Sequence, residues 1–565
     1  MTKILVLGAM PEGADPRNCL AAGPWCFANR EYLFPDWEKR FTFGPDPLRD
    51  PDCLKLCARQ ALSIYAEALP ALAAELCPGN TLPRSYWETL LTPWGTNIAQ
   101  QIAERWARVT AMNRLWGHEP LRVPLLPQQC SFSFAAEHDF TLHGALNAAF
   151  NHWLLSRLLE AAWPKAWQKE ILSPVNERCD PQKNRPTLKA CLRQGARSLA
   201  LRLPCPPLKG ISLAQSLRFS LALLHTSGGK DHSLSPEAVF EEAMPRIALP
   251  LPVLPIFLAT LPQSLRALEH PRTLRATRAP RLRIASIRAY EDAQYRQQLA
   301  VWRGQGHRLM YAQHGAGYGQ TVTGCQTAAV EYSQHAFITW GWRRHTGLRG
   351  NFIPLPYPQL TRIADKHHGD TGDLIFVGTE MPLFPYRLDG WPTPLQVLDY
   401  RRDKARFFTA LGDTLRDRSL YRPYFSVPGS LMDADWLLPQ FSQLRLCTGP
   451  LTERLLSCRL LVLDHPGTTM LEALAANVPM LLYWSRQAWP LAQKSEIMLD
   501  ELADAGIWHP TPEKAATAAK RVFDHPSTWW KSVTVQATRR RYCAEYALTA
   551  RNDENRQWIE TLRKL

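Results

Sequence analysis

Residues 460–484 read LLVLDHPGTTMLEALAANVPMLLYW. Leu460–Leu463 is an apolar run of the length of a buried strand, and Asp464, His465, Pro466 and Gly467 break it. Thr468 or Thr469 can then cap a helix whose apolar positions are Met470, Leu471, Ala473, Leu474 and Ala475. Asn477 stops that helix, and Pro479 opens a second apolar run, Met480–Trp484. Strand, tight turn, helix and strand make a βαβ unit, which requires a parallel sheet covered on both faces. The turn falls at the carboxyl end of the first strand, where open α/β sheets bind ligands. It also faces a helix N-terminus, whose free N–H groups suit a phosphate. His465, Pro466, Gly467, Thr468 and Thr469 are therefore candidate anion-binding residues. Glu472 has two readings: a capping box with Thr469, or a ligand contact.

A second unit of this kind precedes it. Leu282–Ala285 reads as a strand, Arg288–Gly304 as a helix and His307–Ala312 as a strand. The last strand runs into Gln313-His314-Gly315-Ala316-Gly317-Tyr318-Gly319. Glycines after a strand let backbone amides approach a ligand closely, so Gly315 and Gly317 join the candidate site. Ala336–Trp340 adds a strand, and Lys3–Leu7 reads as the first strand of the chain.

With 565 residues and 45% hydrophobic content, the chain holds two domains or three, with real cores. The formal charge of +15 favours anionic partners in general. No Lys/Arg tail, zinc finger or RRM pattern is present, so nucleic acid is not expected as a partner. The 13 cysteines include no CxxC pair and read as free thiols in a reducing compartment. Gly8 and Gly13 have P-loop spacing without the Lys-Ser/Thr that should follow. The N-terminal apolar run is too short for a signal peptide, and prolines interrupt Leu249–Leu261. The expectation is a cytoplasmic protein, with a peripheral contact at the inner face of the membrane compatible with its charge.

In chain order, Asp52–Trp116 is helical with a break at Cys77-Pro78-Gly79-Asn80, and His138–Glu160 presents one helical face. A further helix is expected at Leu188–Ala200. The polar run Asp365–Asp373 ends a first domain, 1–365. A second domain, 373–525, begins with the strand Leu374–Val377. Within it Arg401–Leu411 is a helix whose Arg401, Arg402, Lys404 and Arg406 read as a solvated face. Tyr421–Val427 and Leu444–Cys447 read as strands, and Leu451–Cys458 and Ala515–Val522 as helices. Asp433-Ala434-Asp435 matches a DxD metal–nucleotide pattern, but a turn or helix cap is the better reading. Residues 526–565 form a basic helical tail, expected to pack back on the first domain.

Two α/β domains, each with a Gly- or His-bearing turn at a strand end, place a cleft between them. This is a GT-B-like layout: two Rossmann-like domains facing a central cleft, the N-terminal one enlarged by helical insertions. The chain also resembles uncharacterised transferases of bacterial surface-carbohydrate biosynthesis, such as those of lipopolysaccharide and capsule. The carrying pieces are AAGPWC at 21–26, FNHWLLSRLL at 150–159, YAQHGAGYG at 311–319, FITWGW at 337–342, LDYRRDKARFF at 398–408 and DHPGTTMLEALAANVP at 464–479. The His-Pro pair resembles the motif of GT-B sialyl and Kdo transferases. That resemblance implies that His465 touches the donor phosphate, that Thr468 and Thr469 add donors, and that Glu472 reaches the ribose. It implies a glycosyltransferase using a CMP-linked ulosonic acid and a surface-glycan or lipid-linked glycan acceptor. Alternatives are a UDP- or GDP-hexose glycosyltransferase, a CDP-alcohol phosphotransferase and a sugar-nucleotide epimerase. No metal or other cofactor is expected, because His465, the helix dipole and nearby Arg can neutralise the leaving phosphate. The acceptor hydroxyl needs a base, for which His314 is the first candidate and Glu331 the second. Glu137 and Asp139 are more readily explained as structural.

Overall fold

In the computed structural model the described residues are 2–178, 201–224, 226, 230–243, 249–369, 371–424, 427–550 and 553–565. The helix expected at 188–200 lies outside them. The fold is mixed α/β, and every strand pairing within its three main sheets is parallel.

The first sheet has the order β3-β2-β1-β4-β5, with β1 Lys3–Val6, β2 Cys19–Ala21, β3 Thr42–Phe43, β4 Leu121–Leu125 and β5 Gln168–Ile171. Two long helices, α1 (Pro51–Leu76) and α2 (Arg84–Trp116), are inserted between β3 and β4. The break between them falls at Cys77-Pro78-Gly79-Asn80 as the sequence predicts. The single helical face expected over His138–Glu160 is instead interrupted. A short helix and a π turn end at Ala145, and Asn147 caps a new helix, α3 (Ala148–Ala161), accepting from the Phe150 amide. A helix capped by its own Asn side chain starts afresh, and the apolar spacing across the gap does not reveal this.

After α4 (Leu213–Leu224) comes a second sheet of order β9-β8-β7-β6. Its strands are β6 Leu282–Ala285, β7 Arg308–Ala312, β8 Ala336–Thr339 and β9 Phe352–Pro354, with α5 (Ala293–Gly304) crossing from β6 to β7.

The third sheet is built from β10 Leu374–Val377, β11 Ser419–Arg422, β12 Arg445–Leu446, β13 Leu460–Leu463, β14 Met480–Tyr483 and β15 Trp508–His509. Its order, β12-β11-β10-β13-β14-β15, is the Rossmann order, with its switch point between β10 and β13. Their register pairs Leu374 with Leu460 and Val377 with Leu463. The expected strand Tyr421–Val427 ends at Arg422, because Pro423 cannot continue the ladder.

β13 explains why this sheet reads as uninterrupted apolar runs. Leu460 and Val462 pack into a core with Phe407 and Phe408 of α6 (Pro394–Leu411) and Ala515 and Ala519 of α10 (Pro512–Val522). Leu461 and Leu463 enter the other core, with Met470 and Leu474 of α8 (Thr468–Ala476), which continues into the first two sheets. The remaining helices of this region are α7 (Leu451–Ser457) and α9 (Gln493–Asp504). Asn477 ends α8 in the left-handed conformation, φ 65°, as its place after the helix suggests.

The basic face expected on α6 is corrected. Arg402 and Arg406 are solvated, but Lys404 is fully buried and Arg401 nearly so. Lys404 Nζ donates to Asp433 Oδ2 at 2.5 Å and to the Thr379 carbonyl, and lies 3.6 Å from Asp464 Oδ2. Arg401 Nε lies 3.4 Å from Asp433 Oδ1. Buried carboxylates supplied by other elements hold these cations in the interior. Asp433 opens a short helix and is spent on this network, in line with the structural reading of 433–435.

Of the last helices, α11 (Val533–Tyr546) packs on α8 and α9, and α12 (Glu554–Lys564) packs on α4. Leu548 N donates to the Trp340 carbonyl at 2.8 Å, and Trp558 Nε1 donates to the Pro356 carbonyl at 2.8 Å. Trp558 also stacks on Phe219 of α4 at 4.9 Å. Among the described residues, no helix is long and apolar enough to cross a membrane.

Candidate functional site

The turn after β13 and the glycine loop after β7 face each other. Thr468 Oγ1 accepts a hydrogen bond from the Ala316 amide at 3.0 Å. Between and beside these loops runs a cleft of about 860 Å³. Gly317, His465, Pro466, Gly467, Thr468 and Thr469 line it, together with Gly378 and Thr379 at the end of β10, Arg422 at the end of β11, and Lys209. No Asp or Glu is among its described lining residues. A Cβ on residue 315 would come within 3.4 Å of Thr468 Oγ1.

The geometry of His465 follows from its neighbours. Asp464 Oδ1 accepts from the Thr379 amide at 2.8 Å and lies 2.9 Å from His465 Nδ1. With Nδ1 turned to Asp464, the ring presents Nε2 toward a ligand in the cleft. The ring leans so close over the turn that a Cβ on residue 467 would lie 2.6 Å from Nε2, which explains Gly467. Lys404 sits behind Asp464 and fixes it in turn.

The helix cap is corrected. Gly467, not Thr468 or Thr469, is the N-cap of α8, and no side chain caps it. The capping box is therefore absent. Thr468 spends its hydroxyl on the facing loop, and Glu472 lies outside the cleft lining, its Oε1 accepting from Gln359 Nε2 at 2.7 Å. An N-terminus without a side-chain cap keeps its amide donors for an anion.

The glycine loop is positioned by Gln313. Its Oε1 accepts from the Trp340 amide at 2.9 Å and from Trp342 Nε1 at 2.9 Å, and its Nε2 donates to the Gly315 carbonyl at 2.8 Å. Gly317 takes φ 89°, which the turn requires and which L side chains avoid. Gln320 Nε2 donates to Tyr542 Oη of α11 at 2.8 Å.

His314 and Glu331 line a second cavity of about 440 Å³, which meets the cleft at Met381, Trp391 and Tyr424. Tyr318 Oη donates to Glu331 Oε1 at 3.0 Å and lies 2.9 Å from His314 Nδ1. Tyr290 Oη donates to the same carboxyl oxygen at 2.6 Å. Glu331 Oε2 makes no hydrogen bond and lies 4.0 Å from His314 Nδ1. Burial pushes the Glu331 carboxyl up to about 8, against the pull of the two tyrosines. Burial, and then the charges of Lys209 and Arg387, push His314 down to about 3. Near neutral pH this leaves a neutral His and a carboxyl that exchanges its proton readily. Glu137 also lines the cavity but is buried in an ion pair with Arg296, and Asp139 Oδ2 accepts from the Ala136 amide at 2.9 Å. Both are structural, as expected.

Several residues of this site carry no sequence signal. Lys209, Arg387, Asp389, Trp391 and Tyr424 come from irregular segments without periodicity, and Tyr290 ends a one-turn 3-10 helix, Ile287–Tyr290, ahead of α5. Among the described residues no group of three or more His, Cys, Asp or Glu side chains could hold a metal ion.

Parallel sheets whose loops meet at a basic cleft with no described acid in its lining, next to a cavity with a buried carboxyl, make the candidate site. The chain belongs to the family described as LIC12162 family transferase, whose model matches residues 3–562. No curated protein matches it. Among solved structures it is similar to a Thermobaculum terrenum O-GlcNAc transferase mutant, at 13% identity and a TM-score of 0.28, covering 90% of this chain and 83% of that one. It is also similar to the spinosyn forosaminyltransferase SpnP, at 13% identity and a TM-score of 0.25, covering 86% of this chain and 94% of that one. At such TM-scores these likenesses carry no argument, and the fold rests on the strand order itself.

Proposed function

We propose that the chain is a glycosyltransferase that moves a sugar from a nucleotide-activated donor to a glycan acceptor, with a CMP-linked ulosonic acid as the best-fitting donor. The observation that carries this reading is the junction of two compartments. A cleft with no acid among its described lining residues, at the N-terminus of α8, shares Met381, Trp391 and Tyr424 with the cavity of Glu331 and His314. Phosphate belongs in the first and the acceptor hydroxyl in the second.

In this mechanism the anomeric C–O bond to phosphate breaks and its electron pair leaves with the phosphate. His465 Nε2, Lys209, Arg422 and the α8 amides neutralise that charge. The reading is metal-independent, since the described residues that line the cleft include no carboxylate to hold a cation beside the phosphate. The acceptor oxygen attacks the anomeric carbon, and its proton passes to ionised Glu331. His314 and Tyr318 orient that carboxyl. The His-Pro turn supports the CMP donor, and a UDP- or GDP-sugar would meet the same phosphate groups.

The acceptor in this reading is a surface glycan, lipid-linked in the membrane-facing case, reached from the cytoplasmic side. Four leucines of α4, Leu213, Leu217, Leu221 and Leu224, are 45–60% exposed along one helix face, with Arg218 exposed beside them. Together with the charge of +15, this face suits an anionic lipid surface.

The test is a thermal-shift screen of the whole chain against CMP, CDP, UDP, GDP and their sugar conjugates. Saturation at about 100 times Kd adds about 2.7 kcal/mol of stability. A CMP response supports the ulosonic donor, a UDP or GDP response replaces it within the same reading, and silence toward every nucleotide overturns the glycosyltransferase.

A further inference from the structure

The cavity of Glu331 contains a cation that the mechanism above does not use. Arg387 lies on the 378–393 loop between β10 and α6, and it reaches solvent inside the cavity. Its guanidinium sits 5.2 Å from the Tyr386 ring centroid and 5.0 Å from that of Trp391. Such contacts hold the group by its faces and leave the N–H edge open. Among the described residues Arg387 makes no hydrogen bond and no ion pair.

Its position is built rather than incidental. Helix α2 grips the loop on both sides of it. Gln101 Nε2 donates to the Tyr386 carbonyl at 2.8 Å, the Leu388 amide donates to Gln100 Oε1 at 2.9 Å, and Arg105 donates to the Pro385 carbonyl. None of the cavity's described acids forms an ion pair with it. Glu137 is paired with Arg296, and Glu291 is exposed at the rim. Glu331 is bonded by Tyr290 and Tyr318 and Glu380 by Tyr421, while Asp389 and Arg387 feel each other's charge without a hydrogen bond between them.

We propose that Arg387 binds a carboxylate of a substrate sugar in the cavity next to the transfer site. This rests on the nucleotide-sugar reading above and adds the residue that recognises an acidic sugar, whether donor or acceptor. One planar fork matches a carboxylate through two parallel hydrogen bonds. A phosphate gathers several donors, as the neighbouring cleft offers. The carboxylate belongs either to the donor sugar or to the acceptor.

Calorimetric titration of the intact chain and of Arg387→Gln separates these cases. The probes are CMP and UDP alone, CMP-N-acetylneuraminic acid against its methyl ester, and UDP-glucuronic acid against UDP-glucose. Free N-acetylneuraminic acid and glucuronic acid, against N-acetylmannosamine and glucose, are titrated with nucleotide already bound. A carboxylate on the donor gives at least a tenfold preference for an acid conjugate. Arg387→Gln erases that preference, leaves nucleotide affinity unchanged, and is partly rescued by Arg387→Lys. A carboxylate on the acceptor gives the same pattern with the free acid sugars. Nucleotide binding with no acid preference in either arm, or a preference that survives Arg387→Gln, overturns the assignment of Arg387 alone. Failure of every nucleotide to bind overturns the glycosyltransferase reading and this proposal with it.

Discussion

Ala316 N and Thr468 Oγ1 are 3.0 Å apart, and their hydrogen bond ties the loop after β7 to the turn after β13. Two turns from different sheets thus share one polar contact at the wall of the cleft. Thr468→Val removes the acceptor while keeping the shape. The expected cost to stability is about 1 kcal/mol, with weaker nucleotide binding. Equal nucleotide affinity in calorimetry would show that the bond serves only the fold.

His465→Ala should leave the melting profile close to that of the parent, because the ring faces the cleft. A hydrogen bond to a charged group contributes about 1.5–3 kcal/mol. Nucleotide affinity should therefore fall about ten- to hundredfold, with transfer abolished. Unchanged binding and turnover would remove the donor-phosphate assignment.

Glu331→Gln should abolish turnover and spare nucleotide affinity. It also carries a signature in stability. The folded carboxyl titrates near 8 instead of its usual 4.5, so the folded state holds a proton that the unfolded state releases. Stability from this group is complete below pH 4.5 and is lost as pH rises through 8, by at most about 1.4 kcal/mol per pH unit. Gln does not titrate, so the variant should gain on the parent steadily between pH 4.5 and 8. A constant difference in melting temperature across that window would contradict the raised carboxyl.

Lys404→Met takes the ammonium from buried Asp464 and leaves Asp433 with Arg401 alone. Breaking a buried pair on one side costs about 3–5 kcal/mol. Arg402→Ala on the same helix, at an exposed position, should change stability by less than about 0.5 kcal/mol. Denaturant unfolding of the two variants side by side decides whether α6 is a solvated basic face or a buried anchor.

Leu217→Glu with Leu221→Glu should abolish sedimentation with vesicles of phosphatidylglycerol and leave nucleotide response intact. Undiminished sedimentation would assign any lipid contact to another surface. A parent that ignores such vesicles altogether would remove the membrane contact.

The elements legible in the sequence are those whose signal is local. Leu460–Leu463 and Leu282–Ala285 match observed strands residue for residue: the first is apolar and buried at every position, as a strand covered on both faces must be, and the second departs only at Arg283, which lies over the Trp302 ring. His465 and Gly317 are legible because a strand end followed by a turn announces itself within a few residues. Thr468 is half legible: its place in the turn is apparent, but its partner lies in a distant loop. Arg401 and Lys404 read as a solvated stripe because the pattern LDYRRDKARFF holds no hint of Asp433 and Asp464, which approach only in the folded state. Arg387 and Trp391 are silent for a related reason. Their segment has no period, and α2 gives it shape through backbone carbonyls and amides, which no side-chain pattern encodes.

The hydrogen bond from Gln320 to Tyr542 has a consequence for biosynthesis. The loop that walls the cleft is braced by a residue more than two hundred positions later in the chain. A nascent polypeptide that has already formed the second sheet still has that loop unbraced until α11 leaves the ribosome. The order of synthesis thus delays a finished binding cleft until α11 has been made.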